Sequence, residues 1–298
     1  FEKSSSLILP NSLAKIIIMR KLFFLCIVLF SLSAAAQTSV KVMSFNIRLD
    51  VKSDGDNWWE KRKDKVAALM NYYEADFIGA QEVLHHQLEF LTSQLSNYSH
   101  IGVGRDDGKT EGEYSCIFYN KEKFRLLQQA TFWLSATPDS VSRGWDAACN
   151  RVCTYGLFQS KKTKKKVWVF NTHLDHMGAT ARIESVKLIA QKINELTTKE
   201  NIPVIITGDF NAKPTDEPVK FMLSAFQNSR IISEMPAYGP ADTWNGFQFD
   251  KIPDGCIDYI FVKKHAKLTV KKFATITDSY DKKYPSDHFP VMAELTIR

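Results

Sequence analysis

The chain has 298 residues, 44% hydrophobic and 24% charged, which excludes a low-complexity chain and leaves room for one large core or two small ones. Its formal net charge of +6 falls to +3 once residues 1–36 are set aside, because Lys3, Lys15, Arg20 and Lys21 stand there against Glu2 alone. Such mild basicity suits an anionic substrate but is far from a nucleic-acid-binding stripe.

From Met19 the sequence reads MRKLFFLCIVLFSLSAAAQ. A basic pair, a short apolar run and the small residues Ala34-Ala35-Ala36 predict a secretory signal peptide over 19–36, with an uncleaved anchor as the competing reading. Residues 1–18 carry no periodic pattern and are expected to be an upstream extension. A single domain over 37–298 remains, in a secreted or periplasmic protein.

Within that domain VKVMSFNI (40–47) reads as a strand, and residues 58–73 as an amphipathic helix with Val66, Leu69, Met70 and Tyr73 on one face. DFIGAQEV (76–83) is a buried strand and HHQLEFLTSQL (85–95) a second helix. YSCIFYN, FRLLQQATFWL, NRVCTYGLFQS and KVWVFNTHL form a run of β segments. Within that run, the KKTKKK stretch (161–166) reads as a solvated hairpin tip. Residues 179–198 are the long helix, IPVIITGDF a continuous apolar strand, and CIDYIFVK, KLTVKKFATIT and VMAELTIR close the chain. Two βαβ-like halves of this kind predict an α/β fold, a four-layer α/β/β/α sandwich with two mixed, mainly antiparallel sheets. Cys116, Cys149, Cys153 and Cys256 form no disulfide framework and no zinc spacing.

The informative pattern is polar residues interrupting apolar strands. Asn46 ends the first strand, Glu82 the second, and His173 and Asp175 lie two apart at the end of another. Asp209 and Asn211 follow Gly208, which permits close backbone approach. Asp258 sits inside an apolar strand, where an unpaired carboxylate is costly, and Asp287 and His288 precede the last strand. Singly, each has a plain reading. Asn46 can bond its own backbone, Glu82 can cap the next helix, His173 can be a satisfied core histidine, and Asp209-Phe210-Asn211 can be a turn. Together they put carboxylates, amides and imidazoles at matching strand ends, where open α/β folds build sites. Oxygen ligands without thiolates favour Mg²⁺ or Mn²⁺.

MSFNI, GAQEV, NTHLD, ITGDFNAKP, IDYIFV and SDHFPV, in this order, resemble the motif set of the endonuclease/exonuclease/phosphatase superfamily over about residues 40–298. Its members cut phosphodiesters or phosphomonoesters of nucleic acids, lipids and inositols, so the fold does not choose the substrate. The resemblance implies Glu82 as the central ligand of a Mg or Mn ion, assisted by Asn46 and Asp287. Asp209 would activate the attacking water and Asn211 hold it or the phosphate. His288, buttressed by Asp258, would be the base or the clamp on a phosphoryl oxygen, and His173 would face the phosphorus from the other side. Asp175 is implied as a second-metal or substrate contact. Where some members carry an acid two residues after the Asn, this chain has Arg48, which is left as a substrate contact.

The stretch SRGWDAACNRVCTYGLF (142–158) offers Arg143, Trp145 and Arg151 as a substrate wall, or else a structural loop, and Trp244 is a rim candidate. The expectation is therefore an exported, Mg-dependent hydrolase, a phosphodiesterase, acting on a phosphorylated small molecule, lipid, glycan or nucleic acid. It is expected to be a monomer with no stable membrane span after signal cleavage. A secreted nuclease and a catalytically silent binding module on the same fold are the alternatives.

Overall fold

A computed structural model describes residues 37–298; the expected signal peptide and upstream extension lie outside the described residues. In chain order the elements begin β1 (Thr38–Asn46), α1 (Trp59–Tyr73), β2 (Phe77–Val83), α2 (His85–Gln94), β3 (Tyr98–Ile101) and β4 (Tyr114–Asn120). Next come β5 (Phe124–Trp133), β6 (Val152–Ser160), β7 (Lys166–His173), α3 (Ala179–Thr197), β8 (Val204–Asp209) and α4 (Glu217–Ala225). The chain closes with β9 (Gln227–Asn228), α5 (Ser229–Ile232), β10 (Asp258–Val262), β11 (Leu268–Thr275) and β12 (Val291–Ile297). The sequence reading passed over β3, α4, β9 and α5, which are too short to establish a period.

The strands form two sheets of six, in the orders β11-β12-β1-β2-β4-β3 and β5-β6-β7-β8-β10-β9. Each sheet has one parallel pair at its centre, β1–β2 and β7–β8, and antiparallel pairs around it. Lys166 and Gln159 pair across β6 and β7, so the lysine-rich run is the expected hairpin tip.

Three apolar layers hold the sandwich together. Val42, Phe77, Ile117, Val169, Ile205 and Leu295 pack between the sheets. Leu69, Met70, Leu88 and Leu91 cover the first sheet from α1 and α2. On the second, α3 buries Val186, Ile189, Ala190 and Ile193, whose spacing makes one helix face. Each fully buried aliphatic contributes about 1.5–3 kcal/mol. The expected four-layer α/β/β/α sandwich is the fold observed.

Between the sheets, just below one rim, the apolar layer gives way to polar side chains. Gln81 Nε2 donates to Asn171 Oδ1 at 2.6 Å, and Thr207 Oγ1 donates to the same oxygen at 3.0 Å. Asn171 Nδ2 donates in turn to the carbonyls of Ala80 and Cys116. Gly79 faces this cluster, and a Cβ there would fall 2.0 Å from Thr207 Oγ1. Only glycine lets the central strands approach so closely, and their carboxyl ends therefore meet above this floor.

Candidate active site

At the rim, Asn46 joins the two sheets. Its Nδ2 donates to Glu82 Oε1 at 2.9 Å and to Asp209 Oδ2 at 3.0 Å, while its Oδ1 accepts from the Arg48 N–H. Glu82 occupies a bulge where the pairing of β2 with β4 skips from Ala80 to Val83, and its φ of 60° is left-handed. Bulges re-aim side chains next to sites. Arg48 and Asn211 are left-handed too, at 60° and 44°, and such strain persists only where the surroundings impose it. Below, the buried Arg62 guanidinium ties the loop ends together by donating to the carbonyls of Ile47, Arg48, Leu49, Asn57 and Pro285. Burial pulls its pKa down to about 10.

Asp258 and Asp209 are direct partners across β10 and β8. Asp258 Oδ2 accepts from Thr243 Oγ1 at 2.6 Å and from His288 Nδ1 at 2.8 Å, and His288 Nε2 lies 3.8 Å from Asp209 Oδ2. The His288 ring thus sits between two carboxylates. Burial alone would disfavour its charge, yet Asp258, then Asp209 and Asp287, hold its pKa well above the ordinary histidine value. Burial, reinforced by Asp258, pushes Asp209 up to about 7 against the opposing pull of His288.

His173 has the opposite fate. Burial first, then Arg151 and Arg105, drive its pKa well below the ordinary value. Asn211 Nδ2, fixed by its bond to the Leu174 carbonyl, also meets His173 Nε2 at 3.0 Å, so that nitrogen accepts and the proton belongs on Nδ1. Nδ1 has no hydrogen-bond partner among the described residues, and Glu113 Oε2 lies 3.8 Å from it. One imidazole is cationic and the other neutral within a single site.

The site fits a hard divalent cation. Ligand atoms of Glu82, His173 and Asp209 lie within 4.8 Å of one another. Burial raises the pKa of Asp287, and Glu82 repels it further. Arg48 is the nearest fixed cation, 4.0 Å from Glu82 Oε2 and 3.9 Å from Asp287 Oδ2, but Asp54 already binds it through two bonds of 2.9 and 3.0 Å. Carboxylate oxygens with one imidazole and no thiolate favour Mg²⁺ or Mn²⁺.

A cavity of about 530 Å³ opens over these groups, lined among others by Arg48, Glu82, His173, Asp209, Asn211, Asp287 and His288. Arg151, expected to contact substrate, lines it as well, and so does Trp244. Three other expectations need correcting. Arg143 and Trp145 are exposed on the loop before β6 and are not part of the cavity wall. Asp175 is buried with its oxygens taken by the N–H groups of Ala148, Met177 and Gly178, and it faces Arg151 at 3.4 Å. Those bonds, opposing burial, keep it ionised as a loop anchor rather than a ligand. Asn46 is fully buried and turns its amide N–H, not its oxygen, toward the carboxylates, so it orients Glu82 and Asp209. Glu82 does not cap α2; Gln87 Oε1 accepts from the Leu84 N–H there.

Sequence reasoning missed Arg62, Arg105 and Glu113. Arg105 and Glu113 flank a loop without periodic pattern, and only their charge within a glycine-rich stretch marks them. The four cysteines of the described residues are free.

A model of the Endonuclease/Exonuclease/phosphatase family matches residues 43–288. A solved structure of a family protein from Bacteroides thetaiotaomicron is 38% identical, with a TM-score of 0.85 over 89% of this chain and 97% of that one. A mannosyl-6-phosphatase from the same organism is also 38% identical, with a TM-score of 0.83 over 86% of this chain and 99% of that one. Human nocturnin is 24% identical over 87% of this chain, which spans 65% of nocturnin's length.

Proposed function

The chain belongs to the endonuclease/exonuclease/phosphatase family, whose members hydrolyse phosphoesters with a divalent metal, and from that premise we propose an exported Mg²⁺- or Mn²⁺-dependent phosphatase of small phosphomonoesters. The observation that carries the reaction is the pair of imidazoles held at opposite charge on either side of Asp209. Of the clustered groups, Glu82 together with Asp287 would hold the metal, leaving Asp209 and His173 to the water and the phosphate, and Asn46 locks Glu82 and Asp209 in place. A divalent ion held there would neutralise phosphate charge and favour in-line displacement. Asp209, with its pKa near neutrality, takes the proton of the attacking water. His288, kept cationic by Asp258, turns its Nε2 proton to a phosphoryl oxygen. Asn211 and neutral His173 bracket the phosphate from the other side. As the water oxygen bonds to phosphorus, the ester bond breaks and the departing oxygen takes a proton from solvent to leave as the alcohol.

The sequence favoured a phosphodiester. Two findings shift the proposal to a monoester: the small-molecule size of the 530 Å³ cavity and the 38%-identical mannosyl-6-phosphatase. Hydrolysis of p-nitrophenyl phosphate should exceed that of the bis-p-nitrophenyl diester at least tenfold, and EDTA should abolish it. Faster cleavage of the diester, or of DNA or RNA, restores the phosphodiesterase or nuclease reading. No metal-dependent turnover of any of them means a catalytically silent binding module.

Export rests on residues 19–36, with their basic pair, apolar run and alanine triplet. Sequencing protein recovered outside the cytoplasm should find a first residue near Gln37. A first residue near Phe1 contradicts cleavage.

A further inference from the structure

The lysine-rich hairpin tip over 161–166 takes no part in the site, and the fold gathers two more basic loops beside it. The Lys161 N–H donates to the Lys123 carbonyl at 2.8 Å, tying the tip to the loop between β4 and β5 (121–123). Lys166 Nζ meets Glu200 Oε2 at 2.8 Å, and His265 Nε2, in the loop between β10 and β11 (263–267), bonds the adjacent Asn201 carbonyl at 3.0 Å. Two of the three loops cross from one sheet to the other, so together they close one end of the sandwich. They carry ten lysines against Glu122 alone. That is a net charge of +9, which leaves −6 for the rest of residues 37–298. Among the described residues only Lys123 and Lys166 of these ten pair with a carboxylate, those of Asp76 and Glu200. Lys121, Lys161, Lys162, Lys164, Lys264 and Lys267 are exposed. The mild net charge of the domain is therefore the sum of a strongly basic end and an acidic remainder.

The catalytic groups stand at the other end. β7 begins at Lys166 and ends at His173, so about 23 Å of strand separates the basic end from the site. β1 begins at the basic end as well, where Thr38 Oγ1 and Thr163 Oγ1 share a hydrogen bond. The chain preceding Thr38 therefore joins the domain beside the lysines, and by its sequence that segment leads the protein to a membrane. Clustered lysines attract an anionic surface through a diffuse field that needs no fitted pocket and reaches about a Debye length. A nucleic acid is the poorer match. The three loops hold no arginine and no aromatic residue, the side chains that fork onto phosphates and stack on bases. We propose that this lysine-bearing end docks on a bilayer surface rich in anionic phospholipid, holding the active-site cavity away from the lipid and open to soluble phosphoesters. Ammonium groups stay strongly hydrated on flexible stems, so the contact is reversible and weakened by salt. None of these lysines lines the cavity, and the docking surface stands or falls apart from the hydrolytic reading.

The test measures co-sedimentation of the protein recovered outside the cytoplasm with two kinds of vesicle. One is phosphatidylcholine alone, the other phosphatidylcholine with about 30 mol% phosphatidylglycerol, both at about 0.1 M salt. Partition onto the anionic vesicles should exceed that onto the neutral ones about tenfold or more, and should collapse at about 0.5 M salt. Joint replacement by Lys161→Gln, Lys162→Gln, Lys164→Gln and Lys165→Gln should weaken anionic binding about 100-fold. Lys263→Gln, Lys264→Gln and Lys267→Gln together should weaken it about tenfold or more. Both sets lie on solvated loops, so the unfolding temperature and the turnover of p-nitrophenyl phosphate should not change. Should one set fail to fold, the other decides. Lys61→Gln, Lys65→Gln and Lys283→Gln remove the same charge beside Pro285, near the catalytic end, and should alter binding less than about twofold. Equal partition onto the two vesicles overturns the proposal, as does binding that neither loop set weakens, or an equal loss in the control set. A single-stranded oligonucleotide bound through the same lysines more tightly than the anionic vesicles assigns this end to a nucleic acid and overturns the membrane reading.

Discussion

His288→Gln lowers kcat on p-nitrophenyl phosphate about 1,000-fold with a much smaller change in KM. The side chain is 5% exposed, bonded to Asp258 through Nδ1 and turned toward Asp209 through Nε2. Glutamine keeps a hydrogen bond but loses the positive charge, which should act on the phosphoryl oxygens mainly as negative charge builds up. Alanine is the harsher change, because it leaves Asp258 and Asp209 facing each other across β10 and β8 without the cation between them. That variant is expected to lose about 3–5 kcal/mol of stability besides its activity. Asp258→Asn removes the strongest influence keeping His288 protonated, so the alkaline limb of the pH–kcat profile should move to lower pH. Turnover of His288→Gln within tenfold of the unmodified protein, or an unmoved alkaline limb in Asp258→Asn, would show that His288 is not the charged clamp.

Mg²⁺ raises the unfolding temperature by about 5–10 °C at pH 8 and by less than half of that at pH 5. Asp209 is pushed up to about 7, and Asp287 and Glu113 are also raised, in each case chiefly by burial. A carboxyl group raised on folding binds more protons in the native state than in the unfolded one. Its contribution to stability is complete below the ordinary carboxylate value and is lost as pH rises through the folded value. For Asp209 that window runs from 3.8 to about 7. His288, also raised, loses its contribution in the same direction but above the ordinary histidine value of 6.5. The metal-free protein therefore weakens from acid to neutral pH, while a cation beside Asp209 and Asp287 competes with their protons and binds best where these have left. Calorimetric scans with and without Mg²⁺ at the two pH values measure the difference. Glu82→Gln should abolish the Mg²⁺-dependent shift; an undiminished shift in that variant, or an equal one at both pH values, removes Glu82 from the metal site.

Much of this was legible in one dimension. The strand over 40–47, the helix over 58–73 and the apolar run through Asp209 appear within a residue or two of their expected bounds, since period and strand-end polarity are local properties. Asp258 was legible for a physical reason, the cost of an unpaired carboxylate in a strand, and His288 is its partner at 2.8 Å. The loops were not legible in the same way. Nothing local to Asp175 reveals that three backbone N–H groups consume its oxygens. Nothing local to Arg105 brings it beside Arg151, because their meeting depends on how two irregular segments cross the end of β5.

The order of six motifs and the alternation of apolar and polar residues determined the fold, the family and most of the side chains that the structure gathers at one rim. Tertiary structure alone decided what those groups are at neutral pH. His173 and His288 have the same side chain, the same intrinsic pKa and two carboxylates each within 4.0 Å, yet burial with two nearby arginines prevails at one and the hydrogen-bonded Asp258 prevails at the other. Charge state is set by burial and by distances of a few ångströms between residues far apart in sequence, and no strand period encodes those distances.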